Sequence, residues 1–303
     1  MLNNDLLDFL VDFFSINDLN KLHETYGGGR IFSSPIIGVA SGNDPIFKKF
    51  KVVVGPEHLT PIEMWLASGQ DSISPSKLRI ISIVFPFSDE IRKESRNSTQ
   101  LSRIKLPAEI YSLGRNYANA FKAETLRQTI KFLLKRGYRA VAGMLSESFS
   151  IIVRGGFYST WSERHIAFAA GLGTFSLHEG LITDLGCNVR LASIITNAPF
   201  KVTSRKTDEP YKNCLFYAKN LCRECEKKCP GKAITEAGHD KIKCYEYGQK
   251  IAIKMIQRIG PILKPHIRRV NGKLRPEVYP VGCAFCQFDV PCMDKNPMAN
   301  EYQ

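Results

Sequence analysis

Eight of the nine cysteines lie between positions 214 and 292, and their spacing suits the ligation of iron–sulfur clusters. A 4Fe-4S cubane takes four thiolates, and a Cys-x-x-Cys turn lets two sulfurs reach neighbouring corners of it. The chain also carries the run CxxCxxxCP, which is typical of two-cluster ferredoxins. The spacing therefore predicts two 4Fe-4S clusters, held by Cys214, Cys222, Cys225, Cys229, Cys244, Cys283, Cys286 and Cys292.

In two-cluster ferredoxins, the earlier cysteines of the CxxCxxxCP run bind one cluster and its last cysteine binds the other. The eight ligands therefore divide into two sets of four. The first cluster is then expected to take Cys214, Cys222, Cys225 and Cys292. The second is expected to take Cys229, Cys244, Cys283 and Cys286. Seven residues separate Cys214 from Cys222 and five separate Cys286 from Cys292, and both spacings differ from the ferredoxin run.

Two other interpretations of the cysteines stay open. Two zinc sites with four cysteine ligands each would use similar pairs, and a single cluster with spare thiols would use only half of them. The CxxCxxxCP run favours two clusters. The ninth cysteine, Cys187, falls in a predicted turn and is interpreted as an ordinary buried thiol. Because residues after Phe200 contain few long apolar patterns, we expect that segment to need its metal in order to fold.

The residues before position 200 alternate between helical and strand patterns, which predicts an α/β or α+β layered domain. Residues 1–200 are therefore expected to form one domain and residues 201–303 a second, cluster-bearing domain. The predicted helices are Leu6–Leu22, Phe121–Arg136 and a short helix between Ser162 and Gly171. The predicted strands are Arg79–Phe87, Tyr138–Leu145, and the pair Gly180–Thr183 and Val189–Thr196 joined at Asp184-Leu185-Gly186.

Several stretches of the chain together resemble a known group of enzymes. They are Ser162–Gly173 (SERHIAFAAGLG), Gly180–Thr183, Leu191–Phe200 with its ending Thr196-Asn197-Ala198-Pro199, and Tyr111–Phe121 (YSLGRNYANAF). Followed by the ordered eight cysteines, they resemble the core signature of epoxyqueuosine reductases and reductive dehalogenases. The resemblance runs from about Pro75 to Asp294.

The resemblance implies a nitroreductase-like cobalamin-binding core joined to a bacterial ferredoxin-like double-cluster domain. It implies an oxidoreductase in which the clusters deliver single electrons to the cobalt of cobalamin and then to substrate, with cobalamin near Gly171, Leu172 and Gly173. One alternative is reductive dehalogenase-like reduction of a small organic molecule. Another is a non-catalytic ferredoxin-type protein that transfers electrons or handles corrinoids.

The resemblance also directs attention to a proton donor. Epoxyqueuosine reductases carry an aspartate six residues before the glutamate that matches Glu163, and Phe157 occupies that position here. Reductive dehalogenases use a tyrosine whose pKa a basic residue lowers. Tyr158 is therefore the candidate donor, with Arg154 as its candidate partner. The alternative is that Tyr158 only packs in an aromatic wall with Phe157 and Trp161.

The formal charge of +13 would fall to about +9 with two clusters of charge −2 each, which still suggests an acidic partner or anionic cofactor. A basic stretch precedes the last cysteines, and it could contact tRNA phosphates, form a solvated loop or dock an acidic ferredoxin or flavodoxin. It comprises Lys264, His266, Arg268, Arg269, Lys273 and Arg275.

The sequence shows no pairing of histidines that is typical of a metal site, and His165 is expected to be a packed or surface residue. No apolar run is long enough to span a bilayer. The N-terminus does not read as a signal peptide. We therefore expect a cytoplasmic protein without a membrane partner. Its substrate is expected to be a small molecule or a group carried on tRNA.

Overall fold

The computed structural model describes residues 2–101, 103–277 and 281–302. Its α-helices are α1 (Leu2–Ile16), α2 (Ile46–Val53), α3 (Pro61–Ala67), α4 (Asp89–Glu94), α5 (Glu109–Leu134), α6 (Glu163–Ala169), α7 (Leu215–Lys219), α8 (Glu224–Lys228) and α9 (Lys241–Ile259). Its strands are β1 (Ile36–Ser41), β2 (Arg79–Pro86), β3 (Ser98–Leu101), β4 (Ile104–Pro107), β5 (Ala140–Val141), β6 (Ile151–Ile152), β7 (Tyr158–Ser159), β8 (Gly173–Phe175), β9 (Leu181–Thr183), β10 (Val189–Thr196), β11 (Ile234–Thr235), β12 (Gly238–His239), β13 (Ile267–Val270) and β14 (Lys273–Pro276).

A four-stranded antiparallel sheet in the order β1-β2-β10-β5 forms the centre of the molecule. Alternate side chains of β2 face opposite layers, as the period of a strand requires. Ile81, Ile83 and Phe85 pack with α1, α5 and α9, whereas Ile80 and Val84 pack with α2, α3 and α6. Both faces are covered, which explains why β2 is apolar apart from Arg79 and Ser82. The mixed α/β fold expected from the sequence is confirmed.

Helix α5 is longer than predicted, because it begins at Glu109 and spans 26 residues. Its first half is buried nearly all round, so the helical period of apolar residues is hidden there. Gly114 lets the helix approach α4 closely: a Cβ at this position would lie 2.9 Å from the Cδ1 atom of Ile91. The stretch Tyr111–Phe121 therefore lies on a helix at the centre of the protein.

The predicted pairing of Gly180–Thr183 with Val189–Thr196 is wrong, although both strands exist. Strand β9 pairs with β8, and β10 pairs with β2 and β5. A single bridge between Thr183 and Gly186 closes the turn that links them. Because β10 is buried along nearly its whole length, it lies inside the sheet with a neighbour on each side, and neither edge is left for β9.

The predicted strand Tyr138–Leu145 is reduced to the two residues of β5. A 3-10 turn follows at Gly143–Leu145. The Gly143 backbone lies against the indole of Trp161, where a Cβ would come within 2.6 Å of the ring. This close approach turns the chain away from the sheet.

The residues after Phe200 contribute to the same core as the residues before it. Ile251 and Met255 of α9, together with Phe285 and Phe288, are buried in the layer that contains α1 and α5. The strands β13 and β14 extend β6 and β7 into a second four-stranded sheet. The boundary at Phe200 stays a prediction. In the described ranges, no helix has the length and apolar character needed to cross a bilayer.

Candidate functional site

The first predicted ligand set lies around one cavity. Cys214 precedes α7, Cys225 lies in α8, and Cys222 and Cys292 complete the lining of about 330 Å³ of empty space. Burial raises the pKa of the Cys225 thiol to about 12, and the charges of the other three cysteines add to that effect. Thiolates that face one another repel, and a bound metal relieves that repulsion. The structure brings these four cysteines together.

The second predicted set is also close in space. Cys229 ends α8, Cys244 lies in the first turn of α9, and Cys283 and Cys286 flank a 3-10 turn. Burial raises the pKa of Cys283 to about 12, with further contributions from the charges of Cys244 and Cys229. The pKa of Cys286 is raised by burial and then by the charge of Cys283. Eight thiols thus form two groups of four, which suits two cubane clusters.

A ninth thiol lies beside the first set, which the sequence did not predict. Cys187 is buried, and its Sγ atom is 3.8 Å from that of Cys292. The ligating atoms of His178, Cys187 and Cys292 all lie within 4.8 Å of one another. Gly186 allows this approach, since a Cβ there would come within 2.3 Å of the Met293 carbonyl oxygen. Cys187 is buried, as expected, but it lies against a predicted ligand.

A cluster of mostly half-buried charged side chains, which we call the charged cluster, lies beside the second set. It comprises Tyr111, Arg115 and Lys122 of α5, Glu163 of α6, Arg190 of β10, Arg268 of β13, and Glu277. Positions 111, 115 and 122 fall on one face of the helix, because they are four and seven residues apart. Nη2 of Arg190 donates to the Tyr111 hydroxyl at 3.2 Å, and Arg268 pairs with Glu277 at 2.5 Å.

Enclosure shifts the ionisation of the charged cluster. Burial lowers the pKa of Lys122 and raises that of Glu163. Burial also lowers the pKa of Arg115 to about 10, assisted by the charges of Arg190 and Arg268. Ser193 lies beside the Glu163 carboxylate and opposes part of the rise in the Glu163 pKa, whereas Nη1 of Arg115 has no hydrogen-bond partner among the described residues. Titratable groups perturbed in this way are typical of functional sites.

The charged cluster adjoins the second cysteine set through a direct contact. A Cβ placed on Gly282 would lie 2.5 Å from Cδ and 2.6 Å from Nε of Arg115. The arginine side chain therefore lies against the residue that precedes Cys283. Sequence reasoning missed this cluster. The signal that could have found it is the polar stripe at positions 111, 115 and 122 within an otherwise buried helix.

The predicted Tyr158 and Arg154 pair does not form. The Tyr158 hydroxyl donates to the carboxylate of Glu57, and this bond raises the pKa of Tyr158. Arg154 is exposed, and in the described parts of the chain it makes no hydrogen bond or ion pair with the phenol. The geometry is thus the opposite of a tyrosine whose pKa a cation lowers. The proton-donor role of Tyr158 stays a prediction.

The three rings of the predicted aromatic wall are also separated. Phe157 is exposed and contacts Tyr245. Trp161 is buried, and it stacks with His58 and donates to Ser193. Tyr158 instead covers Gly55, where a Cβ would come within 2.3 Å of its ring. Tyr158 therefore packs on backbone rather than on neighbouring aromatic side chains.

Gly171, Leu172 and Gly173 line a separate cavity with about 300 Å³ of empty space. Gly171 has a positive φ of 75° and lies against the backbone at Ser204, while a Cβ at Gly173 would lie 2.3 Å from the Ile182 carbonyl oxygen. The glycines thus allow close packing of backbones rather than forming an open cradle. This space includes open solvent at the mouth of the cavity, so the enclosed part is smaller still. It does not fit a corrinoid, which is much larger than a drug-sized ligand.

The basic stretch is partly fixed against α5. His266 Nε2 lies 2.9 Å from the carbonyl oxygen of Asn116, and Lys264 Nζ lies 4.1 Å from the centre of the Tyr117 ring. Lys273 and Arg275, on β14, are exposed. The first residues of the stretch are therefore not a solvated loop. The exposed cations remain on its outer strand.

His165 is packed, as the sequence predicts. Its ring lies between those of Phe50 and Phe175, and Nδ1 is 2.8 Å from the hydroxyl oxygen of Ser162. Burial lowers its pKa to about 3. The neutral ring is therefore part of the layer around α6.

No family model matches the chain, and no curated protein does. Among solved structures, it is similar to the epoxyqueuosine reductase from Streptococcus thermophilus, at 15% identity over 87% of this chain and 65% of that one, with a TM-score of 0.49. An epoxyqueuosine reductase with an epoxyqueuosine-modified tRNA stem-loop is 16% identical over 98% of this chain and 70% of that one, with a TM-score of 0.48. A B12-dependent reductive dehalogenase is 16% identical over 70% of this chain, with a TM-score of 0.44, and this chain spans only 27% of its length. These are the two groups of enzymes that the sequence resembles.

Proposed function

We propose that the protein is an oxidoreductase in which two 4Fe-4S clusters deliver electrons to an acceptor bound beside the charged cluster. The observation that carries this proposal is the contact of Arg115 with Gly282, next to Cys283. It places enclosed, perturbed titratable groups immediately beside a predicted cluster ligand. Perturbed titratable groups beside a redox centre are more typical of a catalytic site than of a simple electron carrier.

The two cysteine sets suit the chemistry of these clusters. The first cluster would be held by Cys214, Cys222, Cys225 and Cys292, and the second by Cys229, Cys244, Cys283 and Cys286. When bound, the clusters supply single-electron transfer. Zinc would accept the same thiolates but would supply no electrons. Iron and sulfide content together with the EPR spectrum of the reduced protein separates these two cases.

Cobalamin is proposed as the electron acceptor on the strength of the sequence resemblance. The cavity beside Gly171, Leu172 and Gly173 does not fit it. Beside the second cysteine set, the chain supplies the charged cluster, with a phenol, two carboxylates and four cations. These groups can orient an acidic molecule and hold or release protons at Glu163 and Lys122.

Two tyrosines are candidates for the proton donor. Tyr158 is the candidate from the sequence, and it is bound to Glu57. Tyr111 is buried and has the cationic partner Arg190, which is the arrangement expected of Tyr158 and Arg154. The variants Tyr158→Phe and Tyr111→Phe, assayed side by side for substrate turnover, assign the role. An unchanged rate removes the tyrosine concerned from the reaction.

The proposed partners follow from charge and from the resemblance. A ferredoxin or flavodoxin is the proposed low-potential donor, and exposed cations such as Lys273 and Arg275 suit an acidic partner. A small molecule or a tRNA-borne group is the proposed substrate, and the proposed compartment is the cytoplasm. The exposed β14 cations also suit phosphates of RNA.

Anaerobic reconstitution tests the proposed function. The protein is loaded with iron and sulfide, reduced with dithionite and examined by EPR. It is then mixed with cobalamin and passed over a desalting column. We expect about eight irons per chain and the EPR signal of reduced clusters, and retention of the corrinoid with a base-off spectrum would support cobalamin as the acceptor. Clusters without retention would favour an electron-transfer protein, whereas bound zinc with no EPR signal would contradict both. If cobalamin is retained, epoxyqueuosine-containing tRNA and halogenated aromatics are the substrates to compare.

A further inference from the structure

We infer that the charged cluster binds the oxyanion of an acidic molecule, a carboxylate or a phosphate monoester, through Arg115 and Arg190. This inference rests on the proposed function, because it names the class of substrate that the reductase would act on. The binding itself can be measured without turnover.

The balance of charge in the cluster leaves two guanidinium groups without a carboxylate. Four cations face two acids. Arg268 is paired with Glu277 at 2.5 Å, and the charge of Lys122 interacts with that of Glu163. Arg115 and Arg190 therefore remain uncompensated among the described residues.

The hydrogen-bond partners of these two arginines are neutral or absent, and the Glu277 charge that acts on Arg115 is already paired with Arg268. Arg190 donates from Nη2 to the phenol of Tyr111 at 3.2 Å, and its guanidinium lies 5.7 Å from the centre of the Phe87 ring. Arg115 has no ion pair within the described ranges, and its buried Nη1 atom has no hydrogen-bond partner there. An enclosed charge without a partner is expensive, so an unfilled guanidinium in the protein interior indicates a missing ligand.

The chemistry of a guanidinium group selects the ligand. Its planar fork of N–H donors matches the two oxygens of a carboxylate or phosphate, and such bidentate pairs are stronger than single hydrogen bonds. An oxyanion at this place would balance the surplus charge. Its position beside Gly282 would hold the rest of the molecule near Cys283, where the proposed reductase needs its substrate.

A rival explanation is that these arginines only offset the negative charge of the second iron–sulfur cluster. The two explanations predict different measurements. Arginines that serve the cluster alone would change its reduction potential when neutralised and would give the protein no affinity for small anions. Arginines that serve a ligand give the reconstituted protein a saturable anion site.

Calorimetric titration of the anaerobically reconstituted protein tests the inference. The probes are phenyl phosphate, benzoate and phenol at constant ionic strength, so that the first two distinguish phosphate from carboxylate and the third lacks the charge. We expect saturable binding of at least one of the two anions and none of phenol. Equal binding of phenol, or no binding of either anion, overturns the inference.

Variants then locate the site. Arg115→Gln and Arg190→Gln should each weaken binding of the anion by at least about 10-fold, the loss expected for one charge-assisted hydrogen bond. Lys48→Gln and Lys49→Gln, which remove exposed cations from α2, are the controls and should change the affinity less than about 2-fold. Equal losses in both groups would indicate a non-specific effect of net charge and contradict the site.

Two further readouts keep the inference separate from the proposed function. Iron content and the EPR spectrum of each variant show whether it has folded around its clusters, and should either arginine variant fail to fold, the wild-type titrations still decide. Anion binding without any reductase activity would contradict the proposed function but support the anion site. Cobalamin retention and turnover without anion binding would support the proposed function and contradict the anion site.

Discussion

The central sheet and the cysteine-bearing segment are built on different principles. Strands β2 and β10 are covered on both faces by apolar layers that contain many large side chains. Around the first cysteine set, the buried apolar side chains other than cysteine are Leu177, Ile182 and Ile234. The sheet can therefore be stabilised by burial of apolar surface. We expect the first cysteine set to depend on bonds to metal, since the apolar surface around it is small.

Loss of the clusters should produce the largest difference between the two regions. In a Cys225→Ser and Cys283→Ser double variant, one predicted ligand is missing from each set. We expect amides in residues 214–229 and 283–292 to exchange with solvent about 100-fold faster or more, because metal binding supplies the folding energy there. Amides of β2 and β10 should keep their protection. Hydrogen exchange followed by mass spectrometry measures both.

The Cys187→Ser variant is the matched control for that experiment. It removes a buried thiol 3.8 Å from Cys292 without removing a predicted ligand. Its iron content and exchange pattern should match the wild type. Loss of the first cluster in this variant would show that Cys187 is itself a ligand, and retained protection in the double variant would contradict the comparison.

Removal of an aromatic ring from the sheet should have the next largest effect. Phe85 is fully buried, with its ring 5.0 Å from that of Phe14 and 5.5 Å from that of Phe32. Phe85→Ala should lower the free energy of unfolding by about 3–5 kcal/mol. Phe216→Ala, at a half-buried ring beside the first cysteine set, should cost less than half as much. Equal losses in denaturant titrations would show that the two regions share one source of stability.

Acid should destabilise the sheet region through His58. Burial lowers the pKa of this ring to about 4, aided by the charge of Lys51 and opposed by that of Glu63. Below its ordinary pKa of about 6.5, the unfolded chain takes up the proton first, so stability is lost as the pH falls from 6.5 towards 4. Between pH 7.5 and pH 5 the wild type should lose about 2 kcal/mol more than His58→Gln. Parallel pH curves of the two proteins would exclude His58 as the cause.

The two tyrosines should give the smallest effects on stability. Tyr111→Phe leaves half-buried Arg190 without its hydrogen-bond partner and should cost about 1–2 kcal/mol. Tyr158→Phe removes an exposed bond to Glu57 and should change the free energy of unfolding by less than about 0.5 kcal/mol. Thermal unfolding of the reconstituted variants measures the difference. If Tyr158→Phe costs more than Tyr111→Phe, Tyr111 does not hold the buried position that we assign to it.

The sequence predicted what depends on local spacing and missed what depends on long-range packing. The CxxCxxxCP run placed eight cysteines in two sets, and the structure brings each set together. Cys187 could not be linked to Cys292, because only the folded turn at Gly186 brings them into contact. Arg115 precedes the predicted helix Phe121–Arg136, and the local pattern around it does not predict a half-buried charge. Its enclosure follows from β10 and β13, which come much later in the chain.

The position of Cys292 has a consequence for biosynthesis. This cysteine lines the same cavity as Cys214, Cys222 and Cys225, yet the ribosome makes it long after them. A nascent chain that has already folded its central sheet and α8 still presents three thiols around an open corner. The first metal site can therefore be completed only after the rest of the polypeptide has been made. Insertion of that cluster should therefore be a late, post-translational event. Until then, the free thiols are open to oxidation.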